Sequence, residues 1–176
     1  FDNAEVYEQG AAEVMMGQVL KKAGWGRDTY IVSSKVFWGG SKPTQKGLSK
    51  KHVHDACHAA LKRLQVDYLD LYFCHRPDPE TPVLETVFAM NDLITQGKIL
   101  YWGTSEWTAD EISEAYEFAF ENSIGNFSPR FIISFAEFLE KEGDFNPNLE
   151  YQASIHDYRY ALKVYKDAIS RFERLE

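Results

Sequence analysis

Cysteine, positive charge and long apolar runs are all scarce in this sequence, and each shortage closes off a class of function. Two cysteines occur in 176 residues, Cys57 and Cys74, with neither a CxxC spacing nor a framework of even pairs. A disulfide-stapled secreted fold is thereby excluded, and both thiols are expected to be reduced and buried in a cytoplasmic setting. Lysine and arginine number 19 against 27 acidic residues, a formal net charge of -8. Such a surface repels polyphosphate backbones and anionic membranes, so no nucleic-acid partner is expected. No stretch approaches the roughly 20 apolar residues that a bilayer-spanning helix needs. No basic-then-apolar leader pattern opens the chain, so membrane insertion is not expected. Phe1-Asp2-Asn3 has neither an initiator methionine nor the disorder usual at a natural terminus, and the sequence is expected to start inside a domain. There is no internal repeat and no low-complexity tract, and Gly39-Gly40 has no P-loop around it.

What is present suits a packed core: 44% of residues are apolar and 15% aromatic. From residue 1 to about 120, short apolar runs alternate with amphipathic stretches, the pattern of βα units and a parallel sheet. Residues 11–22 read as a helix, with Val14, Met15, Gln18 and Val19 near helical spacing. Residues 30–37 read as a strand rich in β-formers. Ser49 is a suitable N-cap for a helix to Leu64, striped by Val53, Cys57, Leu61 and Leu64. Residues 68–74 are apolar on both faces apart from Asp70, as in a strand covered on two sides. Thr81-Pro82 has N-cap and N1 chemistry for a helix that Gly97 ends. A strand is expected over 99–104, and the capping box Thr108-Ala109-Asp110-Glu111 opens a helix to about 120. Beyond it, a helix over 128–142, a strand over 149–155 and a helix over 158–175 are expected. Periodicity alone does not choose between a barrel and a doubly wound sheet.

In a parallel barrel the carboxyl ends of the strands converge on one mouth, where groups distant in sequence come together. Asp2 and Tyr7 follow one strand, Lys35 lies late in the next, His75 ends a third and Ser105 a fourth. Carbonyl reduction needs a hydride donor and a proton donor at the oxygen. Tyrosine is a poor acid until a neighbouring cation favours its phenolate. Lys35 can supply that cation, Asp2 its counter-ion, and His75 a hydrogen bond to the substrate oxygen. Bland readings compete: a lone histidine at a strand end is more often a satisfied polar group, and Asp2 and Tyr7 alone would be loop residues. His54 and His58, four residues apart, lack a third ligand with suitable spacing, so no metal is expected. Lys46, Lys50 and Lys51 read as a solvated helix entrance.

The opening FDNAEVYEQGAAEVMMG resembles the signature of the aldo-keto reductases, with Tyr five positions after Asp and then Gly, Glu and Gly at fixed offsets. SSKVFWGG, GLSKKHV, LKRLQVDYLDLYFCHRPDPETPVLETV and GKILYWGTSEW continue the resemblance in family order. The subgroup looks like the one containing cytosolic β subunits of voltage-gated potassium channels and related bacterial reductases. The resemblance implies Tyr7 as general acid, Lys35 and Asp2 tuning it, and His75 orienting the carbonyl. It also implies Trp38 as an aromatic wall of the substrate site and Ser105 as a partner of the nicotinamide carboxamide. Glu106 stands where Asn or Arg is often found beside that serine. Gln152, in YQASIHDY, resembles a sixth-strand glutamine that contacts the nicotinamide. The implied cofactor is NADPH. Channel β subunits tend to carry Asn where this chain has His75, which tilts the reading toward a working reductase.

Departures from the family are as informative. The first strand, the start of the second, the last two strands and the basic loop for the cofactor's 2′-phosphate have no counterpart, and such a barrel typically takes about 250 residues. The expected fold is therefore α/β, a partial (β/α)8 TIM barrel with parallel strands plus a mostly helical C-terminal segment. Its divisions are a barrel portion over 1–120, an insertion or divergent helical segment over 121–148, and a sixth strand and helix over 149–176. The expected activity is NADPH-dependent reduction of a small aldehyde or ketone. The alternative is a non-catalytic cofactor-binding or regulatory subunit, or an inactive partial barrel. Open apolar edges make a homo-oligomer an expected state.

Overall fold

The computed structural model describes residues 1–121. The elements expected beyond them, with Gln152 and the divisions at 121–148 and 149–176, lie outside the described residues. Three short runs form strands β1 (Ser33–Val36), β2 (Leu69–Cys74) and β3 (Ile99–Thr104), all parallel and in the order β1-β2-β3. Parallel neighbours need a crossover. Helix α2 (Lys50–Leu64) joins β1 to β2, and α3 (Val83–Thr95) joins β2 to β3. Helix α1 (Ala11–Ala23) precedes β1 and packs on α2. Residues Phe1–Ser105 form one unit; a second begins at Glu106 and includes α4 (Ala109–Glu121).

Several ends follow from the chemistry read in the sequence. The Ser49 hydroxyl accepts from the His52 N–H to cap α2. Thr108 and Glu111 bond reciprocally at the start of α4, the Glu111 carboxylate accepting from the Thr108 N–H at 2.7 Å. Gly97, at φ +66°, follows α3.

Three expectations need correction. Strand β1 covers 33–36 rather than 30–37, because side chains take its outer rungs. The Arg27 guanidinium donates to the Tyr30 carbonyl (3.0 Å), Asp70 accepts from the Val32 N–H (2.8 Å), and Glu5 accepts from the Phe37 N–H (2.6 Å). Thr81 does not cap α3; its hydroxyl donates to Asp78 (2.7 Å), which also accepts from the Leu48 N–H (2.7 Å), and Pro82 directly precedes the helix. The stripe on α1 faces outward: Val14, Met15 and Val19 are exposed while Glu13, Gly17 and Leu20 are buried. The reason is close packing, since a Cβ at Gly17 would stand 2.5 Å from the Arg63 carbonyl oxygen. Only the glycine face can approach the end of α2.

The sheet's two faces have different roles. Ser34, Val36, Tyr72 and Cys74 are fully buried or nearly so. Ser34 donates to the wholly buried Glu13 of α1, whose other oxygen accepts from Arg63 (2.5 Å). Alternation then sends Lys35, with its Cα partner Phe73, to the opposite face.

Candidate active site

Residues 1–5 run along the free edge of β1. Ser33 N–H donates to Phe1 O (2.8 Å), Asn3 N–H to Ser33 O (3.1 Å) and Glu5 N–H to Lys35 O (3.1 Å), with a parallel bridge at Asp2. This added edge brings Asp2 and then Tyr7 beside Lys35.

The Lys35 ammonium has three N–H donors and three acceptors: Asp2 Oδ2 at 2.5 Å, the Asn3 carbonyl at 3.1 Å and the Tyr7 hydroxyl at 3.2 Å. Asp2 Oδ1 accepts in turn from the Ser33 hydroxyl (2.6 Å), two residues before Lys35 on the same face. Because the Tyr7 oxygen accepts from Lys35, its own proton is left to point elsewhere. Lys35 is largely buried, with 13% of its side chain exposed, whereas Tyr7 is 38% exposed and reachable from solvent. The polar cluster therefore opens outward at the phenol.

His75 continues β2 by one rung, its N–H donating to Val36 O (3.0 Å). Its buried ring meets Tyr7 edge-on at a centroid distance of 5.9 Å and Trp38 at 5.3 Å. Trp38 follows β1 and is held by an isolated antiparallel bridge to Lys46, and the Arg76 guanidinium lies 5.4 Å from its ring centre. Ser105 extends β3, its N–H donating to Cys74 O (2.9 Å). Tyr7, Lys35, Asp2, His75 and Trp38 thus form one cluster, and Ser105 stands on the neighbouring rung. Glu106 is exposed at φ +58° and belongs to the second unit.

Some contributors escaped the sequence reading. Glu5, read only as part of a motif, accepts from Phe37 N–H and pairs with His52 Nε2 at 3.3 Å, both side chains almost fully buried. Burial pulls the His52 pKa down, but the hydrogen bond to Glu5, that carboxylate's charge and backbone bonds at Gly47 and Lys46 outweigh it. The net position is above the ordinary 6.5. Glu13 and Arg63 were likewise missed; an acidic residue spaced four before Gly17 and seven before Leu20 was the available signal. Among the described residues, no group of three or more His, Cys, Asp or Glu is placed to hold a metal ion. His58 Nδ1 bonds instead to the His54 carbonyl at 2.8 Å. No helix of the described residues is long and apolar enough to cross a membrane.

Parallel strands joined by helices, with a polar cluster where the strands end, define an α/β protein with its site at the carboxyl edge of the sheet. The aldo/keto reductase family model matches residues 1–128, and the chain belongs to that family. A probable voltage-gated potassium channel subunit beta of Arabidopsis thaliana is 54% identical over 116 residues, 66% of this chain and 35% of the relative. Its namesake in Oryza sativa subsp. japonica is 55% identical over 119 residues, 68% of this chain and 36% of the relative. The match spans about a third of these curated relatives. Among solved structures, a thermostable aldo-keto reductase in complex with the inhibitor epalrestat is similar at a TM-score of 0.59 and 35% identity, over 66% of this chain and 39% of that one. An aldo-keto reductase from Klebsiella pneumoniae in complex with NADPH gives 0.56 and 35%, over 66% and 37%.

Proposed function

We propose that this chain carries the proton-donating part of a nicotinamide-dependent reductase that converts an aldehyde or ketone to an alcohol. The observation that carries the reading is the Lys35 ammonium shared between the Asp2 carboxylate (2.5 Å) and the Tyr7 hydroxyl (3.2 Å). In this reading Tyr7 gives its proton to the substrate oxygen, and Lys35 stabilises the phenolate that remains. Asp2 keeps the lysine charged and fixed. His75 orients the carbonyl, and Trp38 forms the wall on its other side.

NADPH, which the K. pneumoniae relative binds, supplies the hydride when bound. The residues present fit its nicotinamide end. Ser105 lies on the rung beside His75, offers a hydroxyl for a carboxamide, and is only half-buried; Glu106 and Gln152 are proposed as cofactor contacts on the sequence resemblance alone. The substrate is a small carbonyl compound, and the protein is proposed to act in the cytoplasm.

The test is absorbance of the reduced nicotinamide on mixing the chain with NADPH and 4-nitrobenzaldehyde. Tyr7→Phe should lower turnover by about 100-fold or more while NADPH still binds. Equal turnover in Tyr7→Phe would overturn the acid role. The identity to plant channel β subunits favours a second reading, a regulatory subunit. A chain that binds NADPH, turns over no aldehyde and co-purifies with a voltage-gated potassium channel would decide for it.

A further inference from the structure

Beneath the proposed site lies a second polar pair that the chemistry above does not use. Glu5 and His52 are almost wholly enclosed, with side-chain exposures of 4% and 3%. A buried pair of this kind persists only where its remaining hydrogen-bonding positions are filled. Here they are filled by backbone of the segment that carries Trp38. Glu5 Oε1 accepts from the Phe37 N–H at 2.6 Å, and His52 Nδ1 meets the Gly47 carbonyl at 2.9 Å. Those two positions are the ends of a loop closed by Gly47 N–H to Phe37 O (2.8 Å) and Gly39 N–H to Gln45 O (2.9 Å).

Gly39 lies directly on the pair, since a Cβ there would stand 2.6 Å from Glu5 Oε2 and 2.7 Å from His52 Nε2. At its other end the pair joins the backbone that leads to Tyr7. Glu5 is two residues before Tyr7, and its own N–H is bonded to the Lys35 carbonyl. One residue therefore lies in the segment leading to Tyr7, bonds through its backbone N–H to the strand bearing the ammonium, and bonds through its carboxylate to the loop bearing the indole.

The geometry points to the Glu5–His52 pair as a positioning device that holds the Trp38 loop in register with Tyr7 and Lys35. It thereby sets where a carbonyl substrate lies against the indole. This rests on the reductase reading for its catalytic consequence, but not for the placement of Trp38. Neither residue touches the reacting atoms, so binding geometry should suffer more than proton transfer when the pair is broken.

The experiment uses the 176-residue chain labelled with 5-fluorotryptophan, the Trp38 fluorine signal being assigned by Trp38→Phe. Glu5→Ala removes the carboxylate's bonds to Phe37 N–H and His52; His52→Gln keeps a donor for Glu5 but removes the ring nitrogen that meets Gly47. Glu5→Gln retains an acceptor for the Phe37 N–H. In Glu5→Ala and His52→Gln the Trp38 signal should move. The Gly39 and Gly47 amides should exchange about tenfold faster, with the β2 amides unchanged. Glu5→Gln should restore most of both. For 4-nitrobenzaldehyde, KM should rise about tenfold and kcat change less than about threefold.

A Trp38 signal at its original position, or acceleration equal across β1, β2 and β3, overturns the proposal, since the second means lost bulk stability alone. If Glu5→Ala does not fold, His52→Gln and Glu5→Gln decide by the same readouts. A wild-type chain without turnover overturns the reductase reading instead and leaves the two spectroscopic readouts to judge the pair.

Discussion

Tyr7 is followed by an unfavourable piece of backbone. Glu8 and Gln9 hold φ of +47° and +53°, and Gly10 follows at +89°. Left-handed geometry costs a non-glycine residue roughly 1–2 kcal/mol, partly offset in a glycine variant by a more flexible unfolded chain. Gln9→Gly should therefore raise stability by about 0.5 kcal/mol in urea unfolding, and a loss would show that Gln9 makes compensating contacts. Lys35 offers a contrasting case. Its partner Asp2 is 61% exposed, so water replaces much of what Lys35→Met removes. Stability should fall by less than about 1 kcal/mol, while turnover falls about 100-fold or more; parallel losses in both assays would contradict the assignment. Asp2, Tyr7, Lys35 and His75 were legible together because ordered family motifs carry them, whereas each taken alone has a bland reading. Glu5, Glu13 and His52 were not, because a buried charge satisfied by distant partners looks, in sequence, like any surface charge. Only its spacing to Gly17 and Leu20 sets Glu13 apart from the exposed Glu8.

Helix and strand limits were legible wherever a side chain closes them locally, as Ser49 and the Thr108–Glu111 box do. They were lost where the closing group comes from far away: Asp70 and Glu5 shorten β1 across more than 30 positions. The inward face of α1 was illegible for a related reason. Val14, Met15 and Val19 offer a better apolar stripe than the buried face, but only the contact of Gly17 with the end of α2 decides the rotation. Gly17→Ala should cost about 1–3 kcal/mol by forcing those helices apart, measured by urea unfolding; a neutral result would mean that the helices can slide. Between α2 and the edge segment, His52 sits above its ordinary 6.5. A group raised on folding contributes stability that is fully present below 6.5 and is lost as pH rises through the raised value. The unfolding free energy should therefore decline over that window in the wild type and decline less in His52→Gln. Identical slopes would remove the pair from the titration.

On the scale of the whole chain, the described part of the first unit leaves apolar side chains in solvent: Val14, Met15 and Val19 on α1, with Leu100 and Tyr101 on β3. Surfaces of this kind favour self-association. Sedimentation should show species heavier than the 20.3 kDa chain as concentration rises; a single monomer with sharp two-state unfolding would exclude this. The family and parallel α/β plan were legible because βα periodicity and an ordered string of motifs both survive in a piece matching about a third of its curated relatives. The outermost ribbon of the sheet, residues 1–5, is joined to β1 along one edge by main-chain bonds to the Phe1, Ile31, Ser33 and Lys35 carbonyls, yet it carries the lysine's counter-ion and leads directly to Tyr7. Gentle warming that peels this margin would silence the proposed reduction while the helical signal stays intact, so inactivation should precede melting. Durability of the reaction would then be governed by a selvedge and not by the fabric behind it.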